Sequence, residues 1–255
     1  MNAPAALMLA LLAASLPAMA QTPQVVDLPT RPGAIQRILV IAPEQPKAAV
    51  ILFAGGDGDI GIQPDGSLAR GGNFLVRSRR LFAGHNLLTV VVDAPSDQSS
   101  VPRETAEHVT DIKTVIAWIR QKGKIPVWLV GTSRGTQSAA YVATRLAQAE
   151  GGADGVVLTS SMISDRRGTA VPDMPIDRLR VPVLVVHHKQ DGCRYCSFNG
   201  IPHLMERLTG APRRELIAFE GGNDVGDPCG ARAYHGYNGI EADVVQRIAA
   251  WITAP

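Results

Sequence analysis

The sequence predicts an α/β fold in which a mostly parallel central sheet carries helices on both faces. Three observations predict it. Short apolar runs rich in β-branched residues alternate with longer segments of helical apolar spacing. The runs have little polar interruption, as strands covered on both faces do; residues 87–92 are apolar except for Thr89. Finally, 255 residues with 45% hydrophobic and 19% charged side chains supply the core of one large domain and exclude global disorder.

The elements follow in order. Residues 21–33 contain Pro23, Pro29 and Pro32 and read as a loose lead-in. Residues 35–41 and 48–53 read as two adjacent strands joined by a turn that holds Pro43 and Pro46. Residues 73–82 read as one helix, and residues 87–92 as a central strand. Val109, Ile112, Val115, Ile116 and Ile119 have helical spacing, with Gly123 as the stop. A strand at 127–130 and a helix at 137–149 come next, followed by buried strands at 156–159 and 183–186. A short helical piece at 204–208 precedes the last strand at 215–219. Residues 240–252 close the chain as an amphipathic helix, with Val244, Val245, Ile248 and Trp251 on one side. In such a sheet ligands sit beyond the carboxyl ends of the strands, so chemistry is expected in the loops that follow them.

The chain ends and charges narrow the function class. Residues 3–20 hold no charged side chain, residues 7–16 form a short apolar stretch, and Ala18-Met19-Ala20 has small-x-small spacing. This predicts a signal peptide at residues 1–20 cut after Ala20, a single domain over residues 21–255, and a secreted or periplasmic location. No further segment approaches ~18 consecutive apolar residues, so no stable membrane span is expected. The formal charge is +2, with 25 basic and 23 acidic side chains spread along the chain, and no basic run points to nucleic acid.

The strand at 127–130 runs into Gly131-Thr132-Ser133-Arg134-Gly135, and a helix follows. Gly-x-Ser-x-Gly needs its glycines because a sharp strand-to-helix turn leaves no room for a Cβ on either side of the serine. On this motif and its setting, the chain from about residue 35 to residue 252 resembles the α/β-hydrolase superfamily, with small secreted esterases and dienelactone-hydrolase-like proteins the nearest in kind. The resemblance implies Ser133 as nucleophile, an acid after a later strand, and a histidine after that. Asp191, just beyond the 183–186 strand, fits the acid. His235, in a glycine-bearing loop before the last helix, fits the base, whereas His203 borders a helical segment. The resemblance also implies two oxyanion-binding amides, that of Arg134 and one in Ala54-Gly55-Gly56-Asp57-Gly58. Gly56 is the expected donor, with Asp57 as its neighbour and alternative. Many relatives have His-Gly where this chain has Ala54-Gly55. Arg70-Gly71-Gly72-Asn73 and residues 93–97 also border the expected mouth and receive no role.

The implied activity is cleavage of carboxylic esters through an acyl-enzyme, with an acyl-ester or other small-molecule substrate and no cofactor or metal. A serine peptidase or amidase on the same fold is the alternative. A second alternative is a non-catalytic or zinc-containing binding protein, because Cys193-x-x-Cys196 lies close to His187, His188, Cys229 and His235. Three cysteines in an exported protein leave one disulfide and one thiol. Cys229 paired with Cys193 or Cys196 would staple the acid loop to the histidine loop and contribute roughly 3–4 kcal/mol; Cys193–Cys196 is the third pairing. Residues 160–182 are too short for a lid domain, which predicts an open site to which Met162, Met174 and Ile176 lend apolar contact.

Overall fold

The computed structural model describes residues 22–165 and 167–254, so the expected signal peptide lies outside the described residues. Eight strands form one sheet: β1 (Gln24–Arg31), β2 (Ala34–Ile41), β3 (Ala48–Phe53), β4 (Leu87–Val92), β5 (Val127–Thr132), β6 (Gly155–Thr159), β7 (Val183–His188) and β8 (Arg214–Phe219). Their order is β1-β2-β4-β3-β5-β6-β7-β8. β2 is antiparallel to both β1 and β4, and the remaining neighbours are parallel.

Two strand expectations change. The proline-bearing lead-in is the edge strand β1, where Pro29 is tolerated beside a register irregularity because it has no partner to bond on its outer side. β2 and β3 are consecutive in sequence but not adjacent in the sheet. β4 lies between them, pairing Val92 with Ile38 of β2 and Val90 with Ile51 of β3.

The helices are α1 (Phe74–Arg77), α2 (Arg79–Gly84), α3 (Ala106–Lys122), α4 (Gly135–Arg145), α5 (Ile201–Arg207) and α6 (Glu241–Thr253). The single helix expected at 73–82 is thus two short ones that break at Ser78. The helix expected at 137–149 starts at Gly135 and ends at Arg145, and a 3₁₀ turn follows at Gln148–Glu150. α3 starts where the Thr105 side chain accepts the His108 amide and stops at Gly123.

Alternate residues of each central strand feed two cores. Ala49, Ile51 and Phe53 of β3 pack with Ile112 and Val115 of α3, Ala139 of α4 and Leu204 of α5. Ala48, Val50 and Leu52 pack on the other face with Phe74 of α1, Phe82 of α2, and Val244 and Trp251 of α6. Burial on both faces explains the continuous apolar runs. Met174 and Ile176 are buried in the first of these cores and do not reach the site; Met162 does. No helix among the described residues is long and apolar enough to cross a membrane.

Candidate active site

The loops after β3, β5, β6 and β7 meet at one edge of the sheet, joined by the long segment between β8 and α6. Ser133 is the first residue after β5. Its φ is +52°, a left-handed conformation that costs a non-glycine residue on the order of 1–3 kcal/mol. The neighbours hold it there: its amide donates to the Thr159 carbonyl at 3.1 Å, and its carbonyl accepts from the Thr136 amide at 2.9 Å and hydroxyl at 2.6 Å. A Cβ on Gly131 would collide with the backbone of Gly135, and one on Gly135 with the carbonyl of Phe53, so both glycines of the motif are required by space. α4 begins immediately after, which leaves the Arg134 amide among the first-turn donors that no helical carbonyl reaches.

Asp191 and His235 come together. His235 Nδ1 and Asp191 Oδ2 are 2.9 Å apart, both residues are buried, and the second carboxylate oxygen accepts the Cys193 amide at 2.9 Å. The carboxylate fixes the proton on Nδ1 and leaves Nε2 as the basic nitrogen. His187, on β7, also approaches Asp191, at 3.5 Å, but its Nε2 donates to the Cys196 carbonyl at 2.7 Å. Burial lowers its pKa to about 4 despite the carboxylate, so it stays neutral. His188 turns away, bonded to the Gly221 carbonyl and stacked on Tyr234. His203 lies exposed on α5 near Glu206.

Ser133 and His235 line one small cleft of about 50 Å³ together with Gly55, Gly56 and Asn73. The Ser133 hydroxyl is directed at Met162 Sδ, 3.9 Å away. A larger cavity of about 450 Å³ opens beside it, lined by Gly56, Ser133, Arg134, Met162, Tyr195 and the disulfide cysteines among others. That disulfide joins Cys193 to Cys229, with Cα atoms 4.4 Å apart, so acid loop and histidine loop are stapled. Cys196 is the free, buried thiol. Burial pushes its pKa up, and the nearby Asp191 charge adds to that shift.

Four residues that carry no motif position this machinery. Arg103 is buried without a carboxylate partner and donates to the carbonyls of Ala54 and Gly56, each at 2.9 Å, and to Ser138 Oγ. Its pKa falls to about 9, through burial first and Arg134 second. Asp93 accepts the amides of Ile60, Gly61 and Ile62, which holds the far end of the same loop. Ser160 donates its hydroxyl to the His235 carbonyl at 2.8 Å. Tyr237 donates its phenol to the Val186 carbonyl at 2.9 Å and accepts the Ser160 amide at 3.1 Å. Burial raises its pKa.

Solved structures with this arrangement of strands include several esterases. A cold-adapted esterase from an Arctic intertidal metagenomic library superposes with a TM-score of 0.61 at 15% identity, covering 94% of this chain and 98% of that one. The chain has the α/β-hydrolase fold. An esterase from the Planctomycetes species Thermogutta terrifontis gives 0.61 at 17% identity, with 91% and 92% covered. Dienelactone hydrolase from Anabaena variabilis gives 0.61 at 13% identity, with 90% and 97% covered. No family model matches the sequence. No curated protein matches it either. Within the α/β-hydrolase fold, the left-handed serine follows β5 and the paired aspartate and histidine follow β7 and β8, all at the carboxyl end of the sheet.

Proposed function

We propose that the protein is an exported serine hydrolase of carboxylic esters, with Ser133 as nucleophile, His235 as base and Asp191 as the acid that orients it. The observation that carries this reading is the buried Asp191–His235 pair facing the same cleft as a serine held in left-handed geometry. Rotation about χ1 moves the Ser133 hydroxyl from Met162 towards His235; such bonds commonly tighten only with substrate bound. His235 takes the hydroxyl proton as Oγ attacks the ester carbon, and Asp191 stabilises the imidazolium. The developing oxyanion faces the amides of Arg134 and Gly56. Collapse expels the alcohol, which takes its proton from His235, and a water then repeats the sequence on the acyl-enzyme.

Ester cleavage is favoured over amide cleavage because an alkoxide leaves readily, whereas an amine needs firm protonation and an anchored substrate. The 450 Å³ cavity has an apolar wall of Met162, Tyr195 and the disulfide, and a polar rim of Arg134, Asp165 and Arg167, which suits an ester of modest size. The disulfide fits an oxidising compartment, in line with the signal peptide.

A fluorophosphonate adduct mapped by mass spectrometry tests the nucleophile. Labelling of Ser133 is expected, together with turnover of short aryl esters and at least ~100-fold slower turnover of the matching anilides. Labelling elsewhere, or none in folded protein, rules out this mechanism; faster anilide turnover makes the protein an amidase.

A further inference from the structure

The free Cys196 thiol takes no step in the proposed ester chemistry, yet with Cys193 it lies against His235. Ligand atoms of Cys193, Cys196 and His235 all lie within 4.8 Å of one another, and all three residues are buried. Cys229 is bonded to Cys193, so its sulfur borders this group without lying within 4.8 Å of all its members. Two sulfurs and one imidazole converge with a third sulfur beside them, and the disulfide denies two of those sulfurs to any metal. Tetrahedral zinc with thiolate ligands has sulfur–sulfur edges of about 3.8 Å, so Cys193, Cys196 and His235 need shifts of about an ångström and Cys229 a larger one after its bond is cut. Cys229 has room to make its shift, because its neighbours on the 220–228 segment are exposed. Cys193 and Cys229 line the 450 Å³ cavity, which gives an ion its way in.

We propose that reduction of the Cys193–Cys229 bond converts this cluster into a zinc site made of Cys193, Cys196, Cys229 and His235, and that zinc held there switches the hydrolase off. The switch rests on the assignment of His235 as base, whereas the metal site does not. A dithiol supplies two electrons and two protons: the sulfur–sulfur bond breaks, two thiols form, and the dithiol leaves as a cyclic disulfide. Zinc then displaces three thiol protons, which pass to solvent, and takes a lone pair from one imidazole nitrogen. Whichever ring nitrogen it takes, His235 loses either its bond to Asp191 or its basic site towards Ser133. Exchange with a small-molecule disulfide, which takes two electrons and leaves as two thiols, re-forms the Cys193–Cys229 bond; the ion is expelled and Cys196 takes a proton back from solvent.

The test uses the full mature chain, oxidised or reduced under argon, with zinc or cobalt(II) added. Native mass spectrometry should find one zinc per reduced chain and none per oxidised chain, and cobalt(II) should give the intense visible spectrum of a tetrahedral thiolate site. Cys196→Ser should lower zinc affinity by at least the roughly 10–100-fold that loss of an outer-shell partner costs. Zinc on the reduced chain should abolish ester turnover, and a chelator should restore it. Should the reduced wild type unfold, Cys229→Ser has no native disulfide to lose, and with a mild reductant keeping Cys193 and Cys196 as thiols it should bind cobalt(II) through Cys193, Cys196 and His235. Equal zinc binding by oxidised and reduced chains, wild-type affinity in Cys196→Ser, or no metal on Cys229→Ser each overturns the site. Zinc bound as described, on a protein whose oxidised form cleaves no ester, keeps the site and removes the hydrolase reading instead.

Discussion

Two histidines flank one carboxylate at this site, and their surroundings separate their roles. His187 is buried and spends its Nε2 hydrogen on the Cys196 carbonyl. Burial holds it neutral, with a pKa near 4. His235 has the short contact with Asp191 and reaches the cleft. In the proposed mechanism the carboxylate charge is therefore left to stabilise an imidazolium on His235 and not on its neighbour. Asp191→Asn tests this. The amide keeps the shape but can present an N–H to Nδ1, which favours the wrong tautomer and moves the hydrogen to Nε2. A fall in kcat of roughly 10³–10⁴ is expected, with KM little changed. Stopped assays on folded variant, checked by circular dichroism, measure it, and activity within a few-fold of wild type contradicts the role given to Asp191. The proposed roles of Ser133, Asp191 and His235 start from local marks in the sequence, and the structure adds that Asp191 and His235 meet and that Ser133 lines the same cleft. The serine sits between two sterically required glycines, and the acid and histidine follow strands in a set order.

At the scale of elements, the loop after β3 is held from beneath. Arg103 lies just before α3, far from that loop in sequence, and grips two of its carbonyls without any acidic partner. A buried guanidinium with no carboxylate is costly, and its pKa of about 9 reflects that. The cost is consistent with a need to hold Gly56, whose φ of +59° sets the direction of the loop's amides. Arg103→Lys keeps charge but offers no fork to bridge two carbonyls. It should lower kcat by about 10–100-fold, the size of losing part of an oxyanion donor, and leave KM within a few-fold. A parallel rise in KM with kcat intact would instead mark Arg103 as a determinant of substrate binding. Residues of this kind were not legible beforehand. Arg103, Asp93, Ser160 and Tyr237 act on backbone groups brought close only by the fold, and backbone carbonyls have no sequence signature. The same physics hid β1, because Pro29 and the flanking Pro23 and Pro32 look like loop until an edge position makes Pro29 harmless. It also hid the place of β4, since a short connection between β2 and β3 does not reveal the gap another strand fills.

At the scale of the whole molecule, two buried histidines couple folding to pH. His108 faces the core from α3, edge-on to Phe53, and neither of its ring nitrogens has a hydrogen-bond partner among the described residues. Burial first, and Arg103 second, lower its pKa to about 3. His187 behaves alike, with a pKa of about 4. In the unfolded chain both titrate near 6.5. Between 6.5 and those folded values the unfolded state binds more protons, so stability is fully present above about pH 6.5 and is lost as pH falls towards 4 and then 3. Each histidine contributes up to about 2 kcal/mol of loss by pH 5. The surface carboxylates that arginine holds low, Asp27 and Asp97, act in a lower window, since their unfolded values already lie near 3.8. Urea unfolding at pH 7.5 and pH 5 therefore isolates the histidines. The wild type should be clearly less stable at pH 5. His108→Leu fills the same apolar space without a titrating group, so it should remove about half of that difference while matching or exceeding wild-type stability at pH 7.5. A wild-type midpoint that does not move between the two pH values would show that the histidines are hydrated and do not couple protonation to folding.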